Sequence, residues 1–422
     1  MPRLRDILRE RNFSLLWCSQ IVSQFGDKFT QMALVGLINK RAPGSTYELA
    51  KLFIFVIIPV FIVGPMAGVF SDRWSRKYTM VISDLIRGSL VLSIAAYWML
   101  VPSLKPVFPI YIIVFIIFSV TRFFIPAKMS IIPDLVPEDG LLQANSLMHT
   151  TGMIAASLGY GLGGIVIALP MIGVKGGLLI DGVTFFLSAL LVIFIKVRIK
   201  PPAFKKKISV ISKQIKEAVD TSVLIEIKEG IKYLVSQRKM HFLIELLFFL
   251  WSGVGATYVV MITFIQGTLQ SVTKDLGLLI MFFGGGLFLG SIIYGKFGRS
   301  FDKVKAIFLS LALGGVFMVQ FVVFVGASQR FSIAAILASV FGCALAPIMI
   351  SSNTIVHELI PDDLRGRVFA SLEAVMHLAF LVFMIISAIL AEVFSGFYIL
   401  LIIGMLFIYF GVHGLKRRLH PR

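Results

Sequence analysis

Charge is scarce in this chain. Asp, Glu, Lys and Arg make up only 15% of 422 residues, while 58% are hydrophobic and mean hydropathy is +0.92. Soluble domains carry about a quarter charged residues. A soluble two-domain enzyme of this length would need alternating polar faces, and the runs Leu52–Val69, Tyr111–Val120, Gly182–Ile195 and Phe397–Val412 contain no charged residue. Cysteine is nearly absent. Cys18 and Cys343 both lie in apolar stretches, so core packing is expected, with one disulfide as the alternative. The six histidines are scattered and no H-E-x-x-H occurs, so no metal site is signalled. No P-loop is present, so ATP is not expected to act directly, and no nucleophile, base and metal cluster as an enzyme would require. No A-x-A-like cleavage site follows the apolar stretch after the basic N-terminus, MPRLRDILRERN, so that stretch is expected to stay in the membrane. No cofactor is expected.

The apolar runs, with their flanks, are long enough to cross the roughly 30 Å hydrocarbon core as helices. Twelve spans are read, at about 13–38, 51–71, 78–101, 109–133, 141–169, 177–196, 241–264, 276–296, 304–326, 331–355, 366–391 and 394–414. The fold class is therefore an all-α membrane protein. When the 40 Lys and Arg are assigned to alternating sides, twenty-nine fall on the side of both termini and seven on the other. Lys28, Arg87, Arg122 and Lys128 remain at membrane depth. The positive-inside rule then places both termini in the cytoplasm of a multi-pass inner-membrane protein. The net charge of +18 is thus a topology signal with anionic lipid as a secondary partner, and nucleic acid is not expected. Three regions follow: an N-terminal bundle over 1–196, a basic cytoplasmic linker with an amphipathic helix over 197–240, and a C-terminal bundle over 241–422. The linker is read as solvated, with partner binding as the alternative.

The chain writes one acidic, proline-centred phrase twice. DLVPEDG begins at Asp134 and ELIPDDL at Glu358, each after a span that contains a proline (Pro126, Pro347). RNFSLLW at Arg11 and RKMHFLI at Arg238 lie 227 positions apart, as do GVFSDRWSRK at Gly68 and GKFGRSFDKV at Gly295. An internal repeat of six spans accounts for this spacing. Locally, Pro suits the first turn of a helix, and acidic neighbours favour its positive end.

Gly68-Val-Phe-Ser-Asp72-Arg73-Trp-Ser-Arg76-Lys77, between spans 2 and 3, resembles the major facilitator superfamily signature G-x-x-x-D-R-x-G-R-[RK], with Ser75 in place of the second glycine. RNFSLLWCSQIVSQFGD, IPAKMSIIPDLVPEDGLLQAN and IPDDLRGRVFAS extend the resemblance over nearly the full length. They point to the branch with macrolide and siderophore exporters and a bacterial lysophospholipid transporter. The resemblance implies two pseudo-symmetric six-helix bundles around a central cavity, alternating access, and export. In such a fold Asp72 would meet the N-terminus of span 11, and Arg73, Arg76 and Arg367 would add ion pairs that latch the cytoplasmic side. Asp84 and Arg87, three apart on span 3, would pair beside them. Lys77 belongs to the same signature. The alternative is that Arg73 to Lys77 only enforce topology. Arg299 stands in the second copy where Asp72 stands in the first, so a symmetric second latch is not expected.

Gly159-Tyr-Gly161-Leu-Gly163-Gly164 fits G-x-G-x-x-G, but a dinucleotide site needs a preceding strand, and here the string lies within an apolar helix. Gly159, Gly163 and Gly164 are therefore read as helix-packing residues, as are the pairs Gly64/Gly68 and Gly286/Gly290. The position resembles the exporter signature of span 5, with Tyr160 in place of its proline.

Ionisable residues at membrane depth are candidates for function. Asp27 and Lys28 fall mid-span 1, and Asp27 is the candidate for proton coupling or a cationic headgroup. The alternative is an internal ion pair that locks helices together. Arg122 and Lys128 flank the Pro126 kink and suit an anionic headgroup, although Lys128 would equally snorkel. Glu373 and His377 share a face of span 11 at i,i+4 and are candidates for a proton relay. His149 and Glu245 are weaker candidates. Asp181 is read as a helix-end charge at the outer interface. Together with the resemblance, these residues imply a monomeric secondary transporter, not an enzyme, that carries an amphipathic small molecule outward with protons. A lysolipid flippase without obligatory proton coupling is the alternative, and a non-transporting receptor or intramembrane enzyme a more distant one.

Overall fold

The structure is a computed structural model that describes residues 4–64, 66–67, 74–101, 107–196, 238–269, 271–298, 301–359 and 365–419. Its principal elements are helices. They are α1 (Arg11–Arg41), α2 (Thr46–Ile62), α3 (Arg76–Leu100), α4 (Phe108–Ile131), α5 (Leu141–Ala168), α6 (Gly173–Ile193), α7 (Arg238–Thr268), α8 (Lys274–Phe297), α9 (Lys303–Ser328), α10 (Phe331–Leu359), α11 (Arg365–Val393) and α12 (Gly396–Leu419). Among the described residues ten helices, α3 to α12, are long and apolar enough to cross a membrane. Of the other two, α2 has 17 residues, and α1 carries Asp27 and Lys28 near its middle. The all-helical expectation is met. One boundary difference matters below: α6 begins at Gly173, four residues before the expected start.

The chain divides into two compact units. Unit 1 comprises Met1–Leu37 and Leu52–Leu224, and unit 2 comprises Ile38–Lys51 and Ile225–Arg422. In unit 1, α3 packs against α4 and α6, and α5 against α6. One end of this unit is closed by a cluster that includes Phe13, Leu16, Met80, Phe124, Ile131 and Val192. In unit 2, α8 packs against α10, α9 against α10 and α12, and α7 against α11. The basic linker helix expected between the units falls at 197–237, outside the described residues.

The repeated phrase has a structural counterpart in each unit. The first copy folds as two short 3-10 turns, Ile132–Asp134 and Glu138–Gly140, that lead directly into α5, with Glu138 and Asp139 at the positive end. Arg76, the first residue of α3, donates to Asp134 Oδ2 and to the Ser130 carbonyl, both at 2.7 Å. In unit 2, Lys303, the first residue of α9, donates to Glu358. Arg76 and Lys303 are 227 positions apart, and Asp134 and Glu358 are 224 apart, so both units tie the start of their third helix to the end of their fourth. Each pair is about half exposed, so its energetic contribution is small, about 0–1 kcal/mol. Its role is to fix a corner.

Unit 2 includes the turn before α2. There Ser45 Oγ and the Tyr47 N–H both donate to Glu392 Oε1 at 2.9 Å, and the Glu48 N–H donates to Ser45 Oγ at 3.2 Å. A carboxylate from the end of α11 thus sits on the N-terminus of α2, where the helix dipole favours negative charge. Thr46 and Thr263 share a hydrogen bond of 3.0 Å beside it.

Small residues set the closest helix contacts. A Cβ on Gly286 would lie 2.0 Å from the Ser339 carbonyl oxygen, and one on Gly290 would lie 2.4 Å from that of Cys343. Both put the backbones of α8 and α10 in contact, as a small-xxx-small pair permits. Among the described residues nothing lies within 4 Å of a Cβ on Gly64, and its companion Gly68 is outside the described residues. Both thiols are free. Cys18 is exposed rather than packed in the core, because α1 buries the face bearing Phe13, Leu16, Ser19 and Ser23 and turns Cys18 away. Gly286→Leu is expected to destabilise unit 2 by about 1–3 kcal/mol or more through overpacking against backbone. Gly285→Ala, which meets open space, is expected to be neutral or mildly stabilising. Thermal melting of the detergent-purified variants measures both.

Candidate functional site

Among the described residues the fully buried charged side chains are Asp84, Arg87 and Asp181, all in unit 1. They come from α3 and α6, whose buried faces recur at helical spacing. On α3 this face includes Met80, Asp84, Arg87 and Val91, and on α6 it includes Leu178, Asp181, Phe185 and Ser188. Gly88 lets the helices close up, since a Cβ there would lie 3.1 Å from the Gly182 carbonyl oxygen.

Arg87 and Asp84 pair across one turn of α3, as their spacing predicts, at 2% and 0% exposure. Ser188 Oγ donates to Asp84 Oδ2 at 2.7 Å. The guanidinium is held between two rings, with its carbon 4.4 Å from the centroids of both Phe124 and Phe185. A buried ion pair must offset the desolvation of both partners, and it does so only with supporting hydrogen bonds and close contacts. Here a hydroxyl and two aromatic faces from α4 and α6 supply them. The pair therefore belongs to the interior of unit 1.

α1 contributes the second layer. Asp27 and Lys28 are half-buried, and the charges acting on Asp27 are Arg87, Lys28 and Lys128. Lys28 Nζ lies 5.0 Å over the ring of Tyr160 on α5, in cation–π geometry. The Tyr160 hydroxyl donates to Gln31 Oε1, one turn further along α1. Gly159 and Gly163 make room for this contact: Cβ atoms there would lie 3.0 Å from Lys28 Cγ and 3.4 Å from the Lys28 carbonyl oxygen. Gly164 is buried on the same helix. The glycine string thus packs α5 against α1, and the tyrosine that replaces the exporter proline holds a cation.

Asp181 corrects the sequence reading. Because α6 begins at Gly173, this residue lies eight positions inside the helix and is 0% exposed, not at a helix end. Thr184 Oγ1 donates to Asp181 Oδ1 at 3.1 Å. The Thr30 hydroxyl is directed at the same carboxylate, yet neither Thr30 Oγ1 nor Asp181 Oδ2 completes a hydrogen bond within geometric limits. Opposite lies Gly26, where a Cβ would come within 2.2 Å of Asp181 Oδ1. The signal available in the sequence was the helical register, because Asp181 shares its face with Leu178, Phe185 and Ser188.

The other expected residues are distributed as follows. Lys128 is half-buried on α4 and acts on Asp27; Arg122 is half-buried on the same helix. Gly68, Asp72 and Arg73 lie outside the described residues, as does the side chain of Arg367. Arg76 and Lys77 are engaged within unit 1: Arg76 with Asp134, and Lys77 with the Ile193 carbonyl at 2.7 Å, at the negative end of α6. Glu373 and His377 do not form the expected side-chain pair. His377 Nδ1 lies 2.8 Å from the backbone carbonyl of Glu373, and its ring stacks on Trp251 at 6.1 Å, so the nearer backbone acceptor takes the imidazole. Trp251, Tyr258 and Phe380 continue this aromatic row along α7 and α11, each half-buried. His149 is exposed, and Glu245 pairs with His241 at 3.1 Å on an exposed face.

A family model for the Major Facilitator Superfamily matches residues 16–271 and 246–422. The uncharacterized MFS-type transporter YfiS of Bacillus subtilis is 25% identical over 96% of this chain and 92% of its own length. Macrolide efflux protein A of Streptococcus pyogenes is 22% identical over 90% of this chain and 89% of its own length. Among solved structures, an inward-facing bacterial homologue of the iron transporter ferroportin superposes with a TM-score of 0.70. It covers 96% of this chain and 99% of its own, and at 15% identity the likeness concerns the fold alone.

Arg87→Met, which leaves Asp84 buried without its counter-ion, is expected to destabilise unit 1 by about 3–5 kcal/mol. The double variant Asp84→Asn/Arg87→Met is expected to melt higher than Arg87→Met alone, because no unpaired charge remains. A thermal-unfolding series on the three proteins reads the difference.

Proposed function

The chain belongs to the Major Facilitator Superfamily, and on that premise we propose that it is a secondary transporter, driven by protons, that moves an amphipathic organic molecule out of the cytoplasm or inner leaflet by alternating access. The observation that carries this reading is the layer of ionisable side chains inside unit 1: Asp27, Lys28, Asp84, Arg87 and Asp181. Burying such groups in an apolar helix bundle is costly, and a structural bundle of this composition has no need of them. Twelve spans, with both termini cytoplasmic, agree with the distribution of Lys and Arg. The bundles are assigned to 1–196 and 241–422, joined by the basic segment 197–240. The chain works as a monomer.

Two features favour an amphipathic cargo. The half-buried aromatic row of Trp251, Tyr258 and Phe380 offers apolar faces with polar edges, a surface suited to large apolar ligands. The charges of unit 1 are mostly engaged with one another, which leaves little for a strongly polar cargo. The relative that exports macrolides supports the outward direction. A second reading, a lysophospholipid flippase without obligatory proton coupling, draws on Lys128 near Asp27 as a site for an anionic headgroup and on Tyr160 in place of the exporter proline.

Proteoliposomes separate the two. With a tritiated macrolide as probe, an imposed proton gradient is expected to raise transport by about tenfold or more over its absence. Asp27→Asn is expected to abolish the gradient response while the protein stays folded. Gradient-independent movement of a fluorescent lysophospholipid, with no macrolide transport, would establish the flippase instead.

A further inference from the structure

We infer that Asp181 on α6 is a proton-binding residue that acts as a pair with Asp27 on α1, Asp27 exchanging protons with water and Asp181 holding one in the closed interior of unit 1. The inference deepens the proton-driven reading above and rests on it for its purpose, though not for its chemistry. The step is a single proton transfer. The O–H bond of protonated Asp27 breaks as an O–H bond forms at Asp181 Oδ2, so the negative charge passes from Asp181 to Asp27, and Asp27 regains its proton from hydronium in water.

Three observations support it. The first is the state of the carboxylate. Asp181 is 0% exposed; the Thr184 hydroxyl is shared between the Asp181 backbone carbonyl at 2.8 Å and Oδ1 at 3.1 Å, and among the described residues Oδ2 completes no hydrogen bond. Thr30 is 4% exposed, directed at the same carboxylate, and its hydroxyl likewise completes no bond. A buried carboxylate kept ionised throughout would be expected to gather donors at both oxygens. An oxygen left open beside a hydroxyl suits a group that alternates, since the hydroxyl donates to the carboxylate and accepts from the carboxylic acid.

The second is the charge surrounding the pair. From α1 come Asp27, Lys28 and Thr30, from α3 Asp84 and Arg87, from α4 Lys128, from α5 Tyr160, and from α6 Thr184 and Ser188. The strongest charge acting on Asp181 is the like charge of Asp27, with Arg87 acting less. Arg87 is committed to Asp84 and to the rings of Phe124 and Phe185. Lys28 acts on Asp27 and Asp181 together, whereas Lys128 acts on Asp27. Two neighbouring carboxylates that share one ammonium resist simultaneous ionisation, and they titrate as a pair.

The third is mechanical. Gly26 presses the backbone of α1 onto the Asp181–Thr184 turn, where a Cβ would fall 1.9 Å from Thr184 Oγ1. Gly26 is also the residue before Asp27. A shift of α1 against α6 therefore changes the surroundings of both carboxylates at once, which is what coupling a proton to a helix movement requires.

Infrared difference spectroscopy of the full chain in nanodiscs, titrated with pH, tests the site without any cargo. A protonated-carboxyl C=O band that titrates in the wild type is expected to disappear in Asp181→Asn, an isosteric change whose folding is verified by melting. In Asp27→Asn the band is expected to persist with its midpoint lowered by about one pH unit or more, because a like charge has been removed. In Thr30→Val the midpoint is expected to rise, because the ionised form loses a donor. A band unchanged in Asp181→Asn overturns the inference. In proteoliposomes, Asp181→Asn is expected to lose the response to an imposed proton gradient; a full gradient response in this variant overturns the inference as well. If the wild type moves no macrolide, the transport reading fails while the infrared result still decides the site.

Discussion

A charged side chain in an apolar interior must be neutralised or hydrogen-bonded, and unit 1 is arranged around that requirement. Arg87 has the least freedom. It takes Asp84 from its own helix and an aromatic ring from each of α4 and α6, and the carboxylate it engages takes Ser188. These contacts account for the close approach of α3 and α6 at Gly88 and Gly182. They also determine what is left over: with Arg87 bound to Asp84, Asp27 and Asp181 have its charge only at a distance and otherwise face Lys28 and, for Asp27, Lys128. The candidate site is the remainder of a packing problem that has been only partly closed.

The two units solve their common problems alike and differ where chemistry is at stake. Both tie the first residue of a third helix to the end of a fourth, through Arg76 with Asp134 and Lys303 with Glu358, at nearly constant spacing. Those pairs are half exposed and add little stability, so what the repeat preserves is geometry. Inside, the likeness ends. The fully buried charges found among the described residues all lie in unit 1, while the interior of unit 2 is lined by small residues, hydroxyls and the aromatic row of α7 and α11. This division suits a carrier in which one unit handles charge and the other offers apolar surface.

Much of the fold was legible because apolar runs, prolines and repeat spacing are local signals. The Asp84–Arg87 pair and the packing role of Gly159 and Gly163 were readable for the same reason, since an i,i+3 or i,i+4 relation is fixed by the helix alone. The misreadings arise where a helix end, a competing backbone acceptor or a contact between helices decides the outcome. Asp181 looked terminal because the start of α6 was set four residues late, and depth in a bundle depends on that start. His377 was paired with the Glu373 side chain on spacing alone, but a backbone carbonyl lay closer. Tyr160 was noted only as a missing proline, and its partners Lys28 and Gln31 stand 132 and 129 positions earlier in the chain. No periodicity in sequence reports contacts of that length.

The Glu392 contact shows, at another place, the kind of relation expected of Asp72, which itself lies outside the described residues. The sequence suggests a carboxylate at a helix N-terminus, with Asp72 as donor of charge and span 11 as recipient. The contact seen among the described residues is a separate one: Glu392, at the end of α11, meets the N-terminus of α2 through the Tyr47 N–H and the Ser45 hydroxyl. The physics is the same in both cases, a full charge against exposed N–H groups, and it needs only a short acidic side chain near the end of one helix and the start of another. Sequence supplies the chemical type of such a clasp wherever an acid flanks a span. It does not supply the partner, because every antiparallel helix presents an N-terminus at one face of the bundle or the other. Choosing among them requires the packing of the whole unit, which in unit 2 is set by close helix contacts such as those at Gly286 and Gly290.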